Sequence, residues 1–110
     1  MNMNIKDLLK FIDIESKRLR KYYPDIDEDK IILAQTVKIT EELGELCSEV
    51  LAHNSLQRKE KLENHNKANI QEEFADVIIT TLLLAKSMNI DVEKVLEKKI
   101  EKINKRYEKI

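Results

Sequence analysis

Glycine, proline, cysteine and the aromatics are all scarce in this chain: its 110 residues include one Gly, one Pro, one Cys, no Trp, three Tyr and two Phe. The single Cys47 excludes an internal disulfide, and with it the small folds that depend on such staples. So few turn-forming residues, beside abundant Lys, Glu, Leu and Ile, point to an all-α protein and give no case for a sheet. No apolar run approaches the roughly 20 residues of a membrane span, and Met1 to Ile5 does not read as a signal peptide, so a cytoplasmic protein without a membrane partner is expected. An excess of one charge is missing too. Twenty basic against 21 acidic side chains leave a formal net charge of -1, which excludes the broad basic field of a nucleic-acid binder.

What is present suits one domain, residues 1–110, with 42% hydrophobic residues and a core shallow enough to favour oligomerisation. Apolar spacing predicts a first helix from about Asn4 to Tyr22, placing Ile5, Leu8, Leu9, Ile12 and Leu19 on one side and stopping before Pro24. A second helix is expected over Glu28 to His53, capped by Asp27 or Asp29, with a stripe of Ile32, Ile39, Leu43, Leu46 and Val50. Beside it runs a charged stripe of Lys38, Glu42, Glu45 and Glu49, and Cys47 falls on the flank as a small core residue. Asn54 to Asn69 reads as a polar loop with a short helical turn around Leu56 to Leu62. The third helix, about Lys67 to Met88, is apolar nearly all round from Val77 to Ala85 and is expected to be central and buried. Asn89 suits a left-handed helix end and Asp91 a cap for a fourth, amphipathic helix bearing Val92, Val95, Leu96, Ile100, Ile103 and Tyr107.

Two segments repeat each other, Ile39-Thr40-Glu41-Glu42-Leu43-Gly44-Glu45-Leu46 and Ile70-Gln71-Glu72-Glu73-Phe74-Ala75-Asp76-Val77. Residues three apart share a helix face, so Glu42 with Glu45 and Glu73 with Asp76 form two carboxylate pairs. Two such helices packed through the small Gly44 and Ala75 would bring four acids together. Lys38, one turn before Glu42, is a single ammonium and cannot neutralise them all, whereas a divalent ion can. Oxygen ligands without a nearby His or Cys favour Mg²⁺, with Mn²⁺ as a substitute, over zinc or copper. A di-iron bundle would want Glu-x-x-His pairs, which the chain lacks; His53 and His65 read as surface residues. Glu41, Glu72, Glu93, Glu97, Glu101 and Glu108 read as solvated faces, although in a metal-dependent hydrolysis one of Glu42, Glu45, Glu73 and Asp76, or nearby Glu41, would orient or deprotonate the attacking water. No Gly-rich phosphate loop, Ser/His/Asp set or Cys/His zinc spacing appears, so phosphate would be held by metal and by basic side chains.

The run Lys38 to Leu46, followed by Glu73-Phe74-Ala75-Asp76-Val77, resembles the E-E-x-x-E … E-x-x-D signature of the MazG-like nucleoside triphosphate pyrophosphohydrolases. Glu41, Glu42 and Glu45 match its first half and Glu73 and Asp76 its second. The resemblance implies a four-helix, bundle-like all-α fold assembled as a dimer or dimer of dimers. It implies Mg²⁺ held by Glu42, Glu45, Glu73 and Asp76, and hydrolysis of a (deoxy)nucleoside triphosphate to monophosphate and pyrophosphate, with nucleotide-pool house-cleaning as the task. Relatives also carry a Lys, an Asn and an Arg-Tyr near the end of the last helix. Lys99 and Arg106-Tyr107 match this, Asn104 falls one place late, and Lys38, Lys99 and Arg106 become the candidate phosphate ligands. The alternatives within the superfamily are a phosphoribosyl-ATP pyrophosphohydrolase and a dUTPase-like enzyme; outside it stands a non-catalytic helical adaptor.

Overall fold

In the computed structural model, which describes residues 2–54 and 67–108, the chain forms four helices in the order α1 (Ile5–Arg20), α2 (Glu28–His53), α3 (Lys67–Ser87) and α4 (Val92–Lys105). Local chemistry sets the ends. The Asn4 side chain accepts from the Asp7 amide at 2.9 Å while the Asp7 carboxylate accepts from the Asn4 amide at 3.2 Å, a reciprocal box that starts α1. Asp27 and Asp91 cap α2 and α4 by accepting from Lys30 and Lys94 amides at 3.0 and 3.1 Å. Asn89 takes φ 57°, the left-handed turn expected after α3, and the Ile90 amide then reaches back to the Ala85 carbonyl at 3.0 Å. The helical turn expected around Leu56 to Leu62 lies outside the described residues.

Helix α3 is the centre of the packing: it lies chiefly against α2 and secondly against α1, and every other pairing of described helices is marginal. Ile12 of α1, Leu46 and Ala52 of α2 and Leu83 of α3 form the buried core. Polar links tie the helices at their ends. The Asp13 carboxylate accepts from Lys17 at 3.1 Å on its own helix and from Lys86 of α3 at 3.0 Å, and Arg20 pairs with Glu28 across the connector.

Three expectations need correction. First, α3 is central yet not enclosed: Phe74 and Ile78 face outward, and Thr80 and Thr81 satisfy their hydroxyls on the Asp76 and Val77 carbonyls at 2.6 and 2.7 Å. Second, the inward line of α2 is Ile32, Gln35, Ile39, Glu42, Leu46 and Glu49, all buried or half-buried, whereas Leu43, Val50 and Cys47 are exposed. Its steps of three and four make a heptad-like seam in which apolar and polar residues alternate. Third, α2 and α3 do not meet through Gly44 and Ala75, since nothing lies within 4 Å of a Cβ built at Gly44 and Ala75 is exposed. The apolar residues of α2 had two faces to choose between, and the face carrying Ile32, Ile39 and Leu46 turned in.

The outer face keeps a large apolar area in contact with water. Leu33 and Val37 are 66% and 67% exposed, and along α4 Val95, Leu96, Ile100 and Ile103 are uncovered. The radius of gyration is 17.4 Å, against about 13 Å for a compact chain of this length. Among the described residues no helix is long and apolar enough to cross a membrane.

Candidate metal centre

The α2 seam and the first turns of α3 build one acidic site. Glu42 occupies a core position of α2 and is 9% exposed, a burial expected of Leu rather than of a carboxylate. Glu73 and Asp76 reach it from α3, and the three side chains offer carboxylate oxygens that all lie within 4.8 Å of one another. Oxygens on opposite sides of an octahedral Mg²⁺ stand about 4.2 Å apart, so a small adjustment suffices for one ion to bridge the three.

Glu42 Oε2 and Glu73 Oε2 are buried without a hydrogen-bond partner. Unpartnered carboxylate oxygens out of water are costly, and like-charged neighbours make them costlier. The strain registers at Glu73, whose pKa is raised above 4.5 first by burial and then by the charges of Glu45, Asp76 and Glu42. An all-oxygen donor set with two orphaned acceptors fits a hard divalent cation.

The expected ligands therefore divide. Glu42, Glu73 and Asp76 converge; Glu45 is exposed and stands beside Glu73, where its charge acts on that carboxyl. Glu41 points to the outer side, paired with Lys38 at 3.4 Å. Lys38 also lies 3.3 Å from Glu42 Oε1, and these two carboxylates, Glu42 first, raise its pKa. Lys99 and Arg106 are exposed on or just past α4, a helix that makes no more than marginal contact with the others. His53 is exposed at the end of α2.

Gln35 was not foreseen in the seam. Its half-buried side chain carries an unpartnered Oε1 two turns before Glu42, and the spacing of three and four through Ile32, Ile39 and Leu46 was the signal for it. A groove of about 310 Å³ opens at the other end of α3, lined in part by Lys17, Arg20, Lys86 and Ser87. Each of its three basic side chains already faces Asp13 or Glu28, so it offers phosphate no uncommitted cation.

The chain matches the model of the MazG-like family over residues 33–110, which takes in α3, α4 and all of α2 from Leu33 onward. A Bacillus subtilis (strain 168) protein, YpjD, described as uncharacterized, is 34% identical over 74 residues, covering 67% of this chain and 65% of that protein. The chain thus spans just under two thirds of the length of this curated relative. No solved structure matches.

Proposed function

This chain belongs to the MazG-like family, and on that premise we propose that it is a divalent-metal-dependent nucleotide pyrophosphohydrolase. It would hydrolyse a (deoxy)nucleoside triphosphate between the α- and β-phosphates, water adding to one phosphorus as the bridging oxygen leaves, to give monophosphate and pyrophosphate. The observation that carries this reading is the convergence of Glu42, Glu73 and Asp76 from two helices with two buried, unpartnered oxygens. Such a site has the donor chemistry for Mg²⁺, with Mn²⁺ as a substitute, and Glu45 is placed to join it. When bound, the ion supplies charge neutralisation at phosphate oxygens and polarises water.

The chain's own side chains then divide the remaining work. Orienting the attacking water and accepting its proton fall to one of the exposed carboxylates at the rim, Glu45 beside Glu73 or Glu41 once it parts from Lys38. Lys38 stands next to the metal ligands and is the nearest phosphate ligand; Lys99 and Arg106 are the candidates on the α4 side. Homodimer or homotetramer formation belongs to the same proposal, supported by the uncovered Leu33, Val37, Phe74 and Ile78 and by the apolar side of α4.

The test is incubation with Mg²⁺ and a panel of ribo- and deoxynucleoside triphosphates plus phosphoribosyl-ATP, resolving the products. Monophosphate with pyrophosphate, abolished by EDTA, is the expected result, and the preferred substrate identifies the branch of the superfamily. Diphosphate with phosphate, or no turnover of any substrate, overturns the proposal.

A further inference from the structure

Glu42 is divided between two environments. Its Oε1 lies 3.3 Å from the Lys38 ammonium, while its Oε2 is buried without a partner in a side chain that also closes on Glu73 and Asp76. The Lys38 side chain is 52% exposed and sits one turn before Glu42 on the same helix, so it can swing into solvent without disturbing the core. A cation so placed neutralises the buried acid when nothing else does. It also repels any second cation that approaches the same carboxylate.

We propose that Lys38 is an exchangeable counter-cation of the metal centre, holding Glu42 in the metal-free chain and giving it up when a divalent ion binds. The inference rests on the reading of Glu42, Glu73 and Asp76 as metal ligands. Release of Glu42 leaves the ammonium at the rim with the exposed Glu41 as its remaining partner, within reach of the phosphate oxygens of an incoming nucleotide. Metal entry and nucleotide capture are thereby coupled in that order: until the ion has displaced it, the ammonium is spent on Glu42 and Glu41. Its two roles have opposite signs, against the metal and for the nucleotide, and that opposition separates it from a residue that only steadies Glu42.

The experiment is Mn²⁺ binding without nucleotide, followed by the electron paramagnetic resonance of free Mn²⁺, for the unaltered chain, Lys38→Met and Lys38→Arg. Removing one half-exposed ammonium a few Å from the ion should tighten Mn²⁺ about three- to tenfold in screened, water-like surroundings. Lys38→Arg, which keeps the charge, should return the affinity toward that of the unaltered chain. Lys38→Met should also weaken a non-hydrolysable triphosphate analogue in saturating Mn²⁺, the opposite direction to its effect on the metal. In the unaltered chain, Mg²⁺ should shift the Lys38 Nζ nuclear magnetic resonance signal and leave that of Lys17 in place, a readout that needs no variant to fold. Mn²⁺ binding equal or weaker in Lys38→Met, or a Lys38 signal indifferent to Mg²⁺, overturns the exchange. Failure of the unaltered chain to bind Mn²⁺ at all overturns instead the metal centre on which it rests.

Discussion

The two acidic segments have nearly the same residue pattern and opposite surroundings. In α2, Glu42 is held in the core seam and has a cation of its own, Lys38, on the same helix. In α3, Glu73 is half-buried with one orphaned oxygen, and the charges acting on it are those of Glu45, Asp76 and Glu42. One half of the site is internally compensated, and the other is stressed by the very neighbours the fold brings to it. A repeated motif therefore does not make a symmetric site. The seam is stabilised from one side by Lys38 and left open to a cation on the other.

The largest effect is expected on the stressed half. Glu73→Gln should lower turnover by at least about 100-fold, more than the loss typical of an outer-shell partner of a metal ligand, with the helical circular dichroism unchanged; activity near that of the unaltered chain would show Glu73 to be dispensable. Next in size is the outer face. Val37→Lys puts a charge where the uncovered apolar stripe of α2 is most exposed; if the proposed homo-oligomer forms through this face, light scattering should show single chains for the variant and a larger species for the unaltered chain.

Third, saturating Mg²⁺ or Mn²⁺ should raise the melting temperature by about 10 °C at a hundredfold excess over Kd, and EDTA should reverse it. Glu73→Gln should lose most of that gain, because it removes one of the converging oxygens.

Acid pH sharpens the contrast further, with a smaller effect. The raised pKa of Glu73 means that the folded chain holds its proton more tightly than the unfolded chain does. The metal-free fold should therefore gain stability as pH falls through the folded pKa toward 4.5 and lose it as pH rises again. Glu73→Gln should flatten that slope in melting curves taken across the window. Asp13, whose pKa is held below 3.8 first by Lys86 and then by Lys17, has the opposite sign: its contribution is present above 3.8 and disappears as pH falls through the lowered value. The smallest change is accordingly Asp13→Asn, which should lower the melting temperature slightly at neutral pH and leave metal binding untouched, since it loosens only the α1 to α3 link to Lys86 and the pair with Lys17 within α1.

Much of this was legible before folding, because the relevant physics is local. Asp27 and Asp91 start helices with their own side chains, Asn89 tolerates a left-handed φ, and a carboxylate three residues from another shares its face whatever the rest of the chain does. The α2 limits, Glu28–His53, came out where spacing and capping placed them. Less legible was the orientation of α2, which has apolar residues on two sides: Ile32, Ile39 and Leu46 on one, Leu33 and Val37 on the other, with Leu43 on the border of the first and exposed. Periodicity ranks faces by their hydrophobic content, and here both faces qualify.

Sequence alone determined the helices, their caps and the pairing of Glu42 with Glu45 and of Glu73 with Asp76, since each depends on neighbours within a turn or two. Only the tertiary structure decided that the Glu42 face turns inward against α3, so that Gly44 faces open space and Leu43 faces water. That choice depends on contacts between segments far apart in the chain. It left two carboxylate oxygens buried without partners, and made an acidic pattern on two helices into a site that fits a cation.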